Sequence, residues 1–396
     1  MTGDPPSRMG PTADVPIPRQ NHVPFNLPHM VGSELAYVLE AYRAGALAGD
    51  GSFTRRSQIL LERLLGAARA LLTHSCTAAL ELAALALRIE PGDEIVMPSY
   101  TFASTANAFA LRGAVPVFVD IRPDTLNIDE SLIENALTSR TRAIVPVHYA
   151  GIACEMDDIA AIAVQHRLAV VEDAAQGMLA SYRGRALGTI GDLGCLSFHE
   201  TKNIISGEGG ALLVNRLDLV ERCEIHREKG TDRSRFFRGE VDKYTWCDLG
   251  SSYLPGEIVA AFLLAQLEHA QRITDDRLAS WNTYHDGLAH LEARGVLRRP
   301  TVPNHVTHNG HMFHVRLGSL TERDALINYL KRHGVGSVFH YVPLHSSPAG
   351  LRFGRTPEPM HETDRAASTL IRLPLWVGIG HDAHRAIDVV TSFFTM

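Results

Sequence analysis

Between residues 70 and 215, short apolar runs alternate with helix-like stretches, and this rhythm constrains the fold more than any other feature of the chain. Alternation of this kind favours βαβ units, and therefore a mostly parallel sheet covered by helices on both faces. Ligands of such a sheet bind beyond the carboxyl ends of its strands. The predicted strands are Ala70–Thr73, Glu94–Ser99, Pro116–Ile121, Ala143–His148, Ala169–Ala174, Gly194–Phe198 and Gly210–Asn215. The predicted helices between the early strands are 77–88, 101–112, 129–138 and 155–167.

The remainder of the chain predicts a tail and a second domain. Residues 1–22 contain five prolines and no apolar signal-peptide core, which predicts a disordered tail. We expect a large domain over 23–255 and, over 256–396, a long connecting helix and a smaller C-terminal α/β domain. The elements predicted there are a helical pattern at 257–293, a strand at 311–317, a helix opening at Thr321, a strand at 335–342 and a terminal helix near 382–395.

Composition argues against several classes of protein. The net charge of -6 disfavours a nucleic-acid-binding protein, which usually carries a basic surface. No apolar run reaches the length of a membrane span. The five cysteines are scattered and form no C-x-x-C pair, so a disulfide scaffold is not expected and a reducing cytoplasm fits.

Two residues in the alternating region suggest chemistry. The chain has only four lysines, and one of them, Lys202, lies in segment 197–203 just before a glycine-rich turn. Asp173 follows an apolar strand that ends in two acids. Pyridoxal phosphate (PLP) requires a nucleophilic amine for the Schiff base and an acid for the pyridinium nitrogen. Taken alone, Lys202 could equally be a surface lysine and Asp173 a helix N-cap.

Other patterns leave a ligand and an ordinary structural role both open. The hydroxyl-rich segment 73–80 lies between a strand and a helix, where backbone N–H groups form either a phosphate cradle or a simple helix cap. Phe102 could stack on a ring or pack in the core. Histidines recur at 305, 308, 311 and 314, but a step of three alternates faces on an extended segment, so we expect no shared metal ion.

Four stretches of the chain together resemble one known family. They are Ser99–Asn107, Val145–Gly151, Ser197–Asn203 and Arg227–Trp246. Over roughly residues 23 to 396 the chain resembles the DegT/DnrJ/EryC1/StrS nucleotide-sugar aminotransferases, which have the aspartate-aminotransferase-like (type I PLP) fold. The likeness is greatest to the enzymes that aminate C-4 of dTDP-4-keto-6-deoxyglucose, such as the enterobacterial common-antigen transaminase.

The resemblance implies roles for individual residues. Lys202 would hold the cofactor, pyridoxal 5'-phosphate, as a Schiff base and act as general base and acid. Asp173 would pair with the pyridine nitrogen. The other implied cofactor contacts are Gln176 with the ring hydroxyl, Phe102 stacked on the ring, and Thr77, Ala78 and Ser197 with the phosphate. Many relatives also direct an asparagine from the partner subunit to that phosphate, and Ser252 occupies the corresponding position here.

The resemblance also implies the substrates. L-Glutamate would give its amino group to dTDP-4-keto-6-deoxy-D-glucose, yielding a dTDP-4-amino-4,6-dideoxyhexose (gluco or galacto) and 2-oxoglutarate. The charged and aromatic segment 226–253 is expected to complete the active sites of a homodimer, with Lys229, Arg233 and Arg238 as candidate diphosphate partners. The alternatives are a C-3 aminotransferase acting on another dTDP-keto sugar and a non-catalytic regulatory protein with the same fold. We expect a cytoplasmic enzyme.

Overall fold

The computed structural model describes residues 22–395, so nearly all of the tail predicted over 1–22 lies outside the described residues. The helices in the described part are α1 (Glu34–Ala44), α2 (Ser52–Leu65), α3 (Cys76–Ala86), α4 (Ala103–Ala110), α5 (Ile133–Ala136), α6 (Met156–His166), α7 (Val220–Arg227), α8 (Arg233–Phe237), α9 (Glu257–Glu268), α10 (Ala270–Gly287), α11 (Ala289–Ala293), α12 (Leu320–Arg332), α13 (Pro348–Phe353), α14 (His361–Thr369) and α15 (His381–Phe393). The strands are β1 (Ala70–Thr73), β2 (Glu94–Pro98), β3 (Val115–Val119), β4 (Thr141–Ile144), β5 (Ala169–Asp173), β6 (Ser181–Tyr182), β7 (Arg185–Ala186), β8 (Leu193–Ser197), β9 (Gly210–Val214), β10 (Val306–Thr307), β11 (Phe313–Arg316) and β12 (Leu370–Leu373).

Seven strands form one central sheet in the order β1-β9-β8-β5-β4-β2-β3. Strand β9 pairs antiparallel with both β1 and β8, and the other pairings are parallel. The mostly parallel sheet predicted from the apolar rhythm is therefore confirmed. All seven predicted strands are present, although the fourth ends earlier than predicted.

Both faces of the sheet are covered, which explains why most side chains of its strands are apolar and buried. On β5, Val170 packs into one hydrophobic cluster and the adjacent Val171 into another. The same division separates Val96 from Ile95 on β2. Successive side chains of a strand point to opposite faces, so each strand packs against the layers of helices on both sides of the sheet. Fully burying each such side chain contributes roughly 1.5–3 kcal/mol.

The prediction of helical structure over 257–293 is correct, but the prediction of one continuous helix is wrong, because the chain forms three helices there. The breaks fall at His269 and Leu288, where the backbone leaves helical dihedral angles. Helix α9 is buried on most of its surface and packs against α1 and α2. Helix α10 instead packs against α15 in the C-terminal region. Because of the breaks, successive helices of this stretch can pack against different parts of the structure.

The C-terminal region contains the main error of strand prediction. Strand β11 pairs antiparallel with β12, which had not been predicted, and the strand expected at 335–342 is not formed. Residues there make only isolated bridges, Val335 to Val23 and Val338 to Arg372. The segment instead crosses to the central sheet, where the N–H of Leu344 donates to the carbonyl of Ser99. The alternating apolar residues of this segment therefore belong to a connection between two regions and not to a paired strand.

Segment 226–253 is folded upon itself. It contains α8 and the isolated bridges Glu228–Ser252 and Thr231–Trp246. Gly230 lies so close to the carbonyl of Asp248 that no side chain would fit there. The segment nevertheless leaves Trp246 77% exposed. Among the described residues, no helix is both long and apolar enough to cross a membrane.

Candidate active site

The predicted cofactor residues lie at one edge of the central sheet, where the parallel strands end. Asp173 is the last residue of β5, and Lys202 follows β8 by a few residues. The Ser75–Ala78 turn follows β1, and Phe102 follows β2. Carboxyl ends of parallel strands meet at the same edge, so residues far apart in sequence converge there.

The Lys202 amine lies close to three charged or ionisable groups. Burial lowers its pKa from the ordinary value of 10.5. Cys76 and Asp173 act in the opposite direction, and the Arg372 guanidinium lowers the pKa further. The net effect is a lysine that loses its proton more readily than a surface lysine would. A desolvated amine of this kind is suited to nucleophilic attack and proton transfer.

The Asp173 carboxylate is buried but has no cationic partner among residues 22–395. Its Oδ2 accepts a hydrogen bond from the Thr105 hydroxyl at 2.7 Å, and Oδ1 accepts one from the N–H of Ala175 at 3.1 Å. These bonds hold the carboxylate in place, and it forms no salt bridge with the described residues, although the Lys202 amine is near enough to feel its charge. A buried charge of this kind is costly without a partner, and a protonated pyridine nitrogen would supply one.

The adjacent acid, Glu172, has a different environment. Its carboxylate accepts hydrogen bonds from the N–H groups of Gly188, Ile190 and Gly191, and it pairs with Nε2 of His148 at 2.9 Å. All its oxygens are satisfied by the protein. Glu172 therefore holds the loop before β8, whereas Asp173, on the opposite face of β5, is available to a ligand.

The turn before α3 combines a helix cap with free backbone donors. The Ser75 hydroxyl accepts from the N–H of Ala78 at 3.0 Å, which confirms the cap. The N–H groups of Cys76 and Thr77 have no acceptor among residues 22–395. Gly210 permits this arrangement, because a Cβ there would lie 2.5 Å from the Cys76 nitrogen. Free N–H groups at the N-terminus of an eleven-residue helix suit a phosphate.

The remaining predicted cofactor residues are placed as follows. Thr77 Oγ1 contacts the Ser104 hydroxyl at 2.7 Å, and Ser197 is buried at the end of β8. Phe102 is 62% exposed and therefore does not belong to the core. Gln176 accepts from the Ala150 N–H at 2.7 Å and donates to the Tyr341 hydroxyl at 3.1 Å. Their individual roles toward the cofactor stay predictions.

The predicted cross-subunit and diphosphate residues lie on segment 226–253. Ser252 and Lys229 are exposed, and the Lys229 amine has no acidic partner among the described residues. Arg233 is paired with Glu228 at 3.0 Å. Arg238 is paired with Glu224 and Glu240, both at 2.7 Å. Of the three candidate diphosphate partners, Lys229 alone presents a charge that the described residues leave uncompensated.

The four regularly spaced histidines lie in separate environments. His305 pairs with Glu155, and His308 packs on Trp281 with ring centroids 4.4 Å apart. His311 Nδ1 contacts Asn203 Oδ1 at 2.9 Å, and His314 is buried beside Tyr149. Desolvation lowers the pKa of His308 to about 4 and that of His314 to about 3.

Sequence reasoning missed three residues that lie near Asp173 or Lys202. Thr105 was part of a quoted family stretch, and a hydroxyl one helical turn from the N-terminus of α4 was a usable signal. His311 was considered only as a metal ligand. Arg372 lies on the overlooked strand β12, and no local motif distinguishes it from the other arginines.

The residues present fit PLP. The amine of Lys202, the unneutralised carboxylate of Asp173 and the free N–H groups of Cys76 and Thr77 lie at one edge of the sheet. They match the aldehyde, the pyridine nitrogen and the phosphate of the cofactor. Phe102 is exposed beside them.

Comparison with known proteins agrees with this geometry. The sequence matches the DegT/DnrJ/EryC1/StrS aminotransferase family over residues 28–392. The chain belongs to this family. Its members are PLP-dependent, so the chain is an enzyme that uses PLP, and the predicted fold class is confirmed.

Relatives match along most of the chain. The GDP-perosamine synthase of Caulobacter vibrioides is 37% identical over 327 residues, which are 81% of this chain and 85% of that protein. The pleiotropic regulatory protein of Geobacillus stearothermophilus is 34% identical over 319 residues, 80% of this chain and 82% of that protein. Among solved structures, the aminotransferase TlmJ of Streptoalloteichus hindustanus has a TM-score of 0.87 at 29% identity, covering 94% of this chain and 99% of that one.

Proposed function

We propose that this aminotransferase moves the amino group of L-glutamate to C-4 of dTDP-4-keto-6-deoxy-D-glucose. The observation that carries the chemistry is the placement of Lys202 and the unneutralised Asp173 at one edge of the sheet. A sugar substrate is supported by the family and by the relative named GDP-perosamine synthase. The dTDP group and C-4 rest on the resemblance of four stretches to C-4 transaminases of the common-antigen type.

The chain's own residues account for the proton transfers. PLP, when bound, supplies the electron sink that stabilises negative charge on the carbon bearing the amino group. Lys202 removes a proton from Cα of the amino donor and later delivers a proton to C-4 of the sugar. Burial lowers the pKa of Lys202, so its amine gives up a proton more readily than a surface lysine does. The Thr105 hydroxyl orients the Asp173 carboxylate, which would hold the pyridine nitrogen of the bound cofactor in its protonated form.

The substrate is tested by incubating the PLP-loaded enzyme with L-glutamate and a panel of dTDP- and GDP-linked 3-keto and 4-keto sugars. We expect dTDP-4-keto-6-deoxy-D-glucose to be converted fastest. NMR of the product reports the position of the amine and its gluco or galacto configuration. A preference for a 3-keto sugar would favour the C-3 alternative, and a preference for GDP-linked sugars would remove the dTDP assignment.

A non-catalytic regulatory role is the less favoured alternative. The name of the Geobacillus stearothermophilus relative describes that protein, and this chain retains Lys202, Asp173 and Gln176 together. A regulator with no chemistry has no use for an amine of lowered pKa beside an unpaired buried acid. Purified protein that takes up no PLP would support the regulatory role instead. A cytoplasmic location is part of the proposal, since all five cysteines are free.

We also propose a homodimer in which segment 226–253 completes the active site of the partner. Trp246, Phe237 and Leu249 on this segment are each more than half exposed. Exposed aromatic side chains beside arginines are typical of interface cores. Ser252 is exposed, and the carbonyl of the adjacent Tyr253 accepts a hydrogen bond from the N–H of His74 in the same chain. The contribution of Ser252 to the partner's site rests on the family resemblance.

Complementation tests the shared site. Inactive Lys202→Ala subunits are mixed with subunits damaged by Ser252→Asp, and subunit exchange is verified. Mixed dimers should regain one intact site in two, and activity should return to a measurable fraction of wild type. Mixing Lys202→Ala with itself is the control. A monomer in sedimentation, or no recovery after exchange, would remove the composite-site proposal.

A further inference from the structure

One buried asparagine from the C-terminal part of the chain is bonded to two of the loops that carry the predicted cofactor residues. Asn309 lies between β10 and β11. Its side-chain Nδ2 donates to the carbonyls of Gln176 and Met178, both at 2.8 Å. Its own carbonyl accepts a hydrogen bond from the Asn203 side chain at 2.9 Å. Asn309 therefore connects the loop after β5 with the loop after β8.

The contact with the loop after β5 fixes the position of Gln176. Its carbonyl and that of Met178 accept from the same amide nitrogen, which determines the path of the backbone between them. The side-chain Oε1 of Gln176 is occupied by the N–H of Ala150 at 2.7 Å. Nε2 has two N–H groups, one of which donates to the Tyr341 hydroxyl, so the other is available to the ring hydroxyl of the cofactor. Its direction depends on where the backbone of Gln176 is held.

The contact with the loop after β8 fixes the residue that follows Lys202. The Asn203 side chain is buried, and both of its polar atoms are bonded to the same short segment of the chain. Nδ2 donates to the Asn309 carbonyl, and Oδ1 contacts Nδ1 of His311 at 2.9 Å. An amide oxygen only accepts, so we assign the ring proton of His311 to Nδ1. The backbone beside Lys202 is thus anchored from the C-terminal part of the chain as well as from the sheet.

The part of the chain around Asn309 is itself held firmly. Oδ1 of Asn309 accepts a hydrogen bond from the N–H of His311 at 3.0 Å. The Arg277 guanidinium on α10 donates to the carbonyl of Gly310 at 3.1 Å and to that of His311 at 2.6 Å. Gly151, whose φ is +76°, lies so close to Oδ1 of Asn309 that no side chain would fit there. These contacts leave the Asn309 side chain a single orientation.

We propose that Asn309 is a positioning residue for the cofactor, because it fixes the loop of Gln176 relative to the loop of Lys202. The inference rests on the roles proposed for these two residues, in which Lys202 binds the cofactor aldehyde and Gln176 its ring hydroxyl. These two groups occupy neighbouring atoms of one rigid ring. A shift of one loop relative to the other would therefore weaken both contacts. A side chain that is bonded to both loops prevents such a shift.

The test compares Asn309→Asp with Asn215→Asp. Aspartate has the shape of asparagine, but it replaces the N–H donors with an oxygen that repels the carbonyls they served. Asn215 is the matched control, because its Nδ2 also donates to two carbonyls, those of Gly188 at 2.9 Å and Gly191 at 2.8 Å. These carbonyls belong to the loop before β8 and to neither of the loops that Asn309 connects. Asn309→Ala is a second variant, which removes the donors without adding a charge.

Two measurements on the full chain report the position of the two loops. PLP is removed from the purified enzyme and titrated back, and quenching of protein fluorescence gives its dissociation constant. Stopped-flow absorbance gives the rate at which the Lys202 amine reacts with PLP. Neither measurement requires a sugar substrate. The thermal midpoint of each protein shows separately how far the substitution destabilises the fold.

We expect Asn309→Asp to raise the dissociation constant of PLP about tenfold or more and to slow the reaction of Lys202 with PLP, because two buried carbonyls lose their donor and the loop after β5 moves. Asn309→Ala should show a smaller loss in the same direction. Asn215→Asp should lower the thermal midpoint to a similar extent and still bind PLP within about twofold of wild type. Should Asn309→Asp not fold, Asn309→Ala decides the question by the same two measurements.

An affinity for PLP that is unchanged in both Asn309 variants would overturn the inference. An equal loss of affinity in Asn215→Asp would also overturn it, because the loss would then follow from lower stability in general. If no keto sugar in the panel is aminated, the proposed substrate fails, but the affinity for PLP still decides the role of Asn309.

Discussion

The two sides of the active site differ in how their charges are satisfied. On the sheet side, Glu172 and Asp173 are held by hydrogen bonds from neighbouring groups. On the C-terminal side, Arg277 and Arg372 have no acidic partner among the described residues. On the function proposed here, the sheet side would hold the cofactor and the C-terminal side would face the substrates, which come and go. One buried acid is enough to pair with a cofactor that stays bound. An anionic substrate that binds and leaves can pair with arginines only if the protein has not already paired them with its own acids.

The largest expected effect comes from removing the amine between the two sides. Lys202→Ala should reduce turnover by roughly four orders of magnitude or more, because both Schiff-base exchange and proton transfer are lost. Folding should survive, since no core volume depends on the ammonium. Steady-state kinetics and circular dichroism measure the two effects, with Lys331→Ala as the matched control on exposed α12. Near-normal transamination by Lys202→Ala would refute the assignment.

The next effect separates the two adjacent acids by function. Asp173→Asn should lower kcat roughly a hundredfold, equivalent to about 2.7 kcal/mol, because the pyridine nitrogen loses the charge that keeps it protonated. The Thr105 hydroxyl can still donate to the amide oxygen, so stability should change little. The measurement is kcat at saturating glutamate together with urea unfolding. Unchanged kcat would count against the ion pair.

Glu172→Gln should give the reverse pattern. The buried carboxylate accepts three backbone N–H groups and pairs with His148, and a neutral amide cannot accept them all. We expect a loss of about 2–4 kcal/mol in the free energy of unfolding, with the cofactor spectrum retained. Urea unfolding of the two variants side by side is the test. A stable Glu172→Gln enzyme with low kcat would show that the two acids share one role.

The smallest expected effect is a pH dependence of the free energy of unfolding of the protein without cofactor. The folded-state pKa of Lys202 lies below the ordinary 10.5, so the unfolded chain binds this proton more tightly. The resulting penalty on the folded state is present at neutral pH and disappears as pH rises through the folded pKa toward 10.5. Lys202→Met should therefore be more stable than wild type near pH 7.

The difference between these two proteins should shrink as pH rises. Urea unfolding at a series of pH values from neutral to about 9.5 measures it. A gap that stays constant over this range would mean that the amine is not desolvated in the absence of cofactor. In that case the positive charge of Arg372 on the C-terminal side would not lower the pKa of the Lys202 amine.

The sheet side of the site could be predicted because its residues lie in short motifs at the ends of strands. Asp173 and Lys202 each follow an apolar strand, and parallel strand ends meet at one edge. Segment 73–80 is predicted to be a helix cap or a phosphate cradle, and the structure shows a cap at Ser75 with free N–H donors beside it. Local sequence is sufficient here because each residue is positioned by the strand that precedes it.

The C-terminal side could not be predicted in this way. Arg277 and Arg372 lie 95 residues apart. Arg277 is in the stretch predicted to be helical, and Arg372 is on strand β12, which the sequence did not reveal. The apolar segment 335–342 was assigned as a strand, yet its residues bridge to Val23 and Arg372 one at a time. Short apolar alternation does not distinguish a paired strand from a segment that crosses between regions.

The sequence by itself determined the α/β class and the strands of the central sheet, because hydrophobic period and strand ends are local properties. It also predicted Lys202 and Asp173 as the lysine and acid of a cofactor site. Tertiary structure alone decided which charges are neutralised. It paired Arg233 and Arg238 with acids and left Lys229, Arg277 and Arg372 without acidic partners in the described part of the chain. Whether a charge is paired depends on groups brought together from distant parts of the chain, and burial sets the cost of leaving it unpaired.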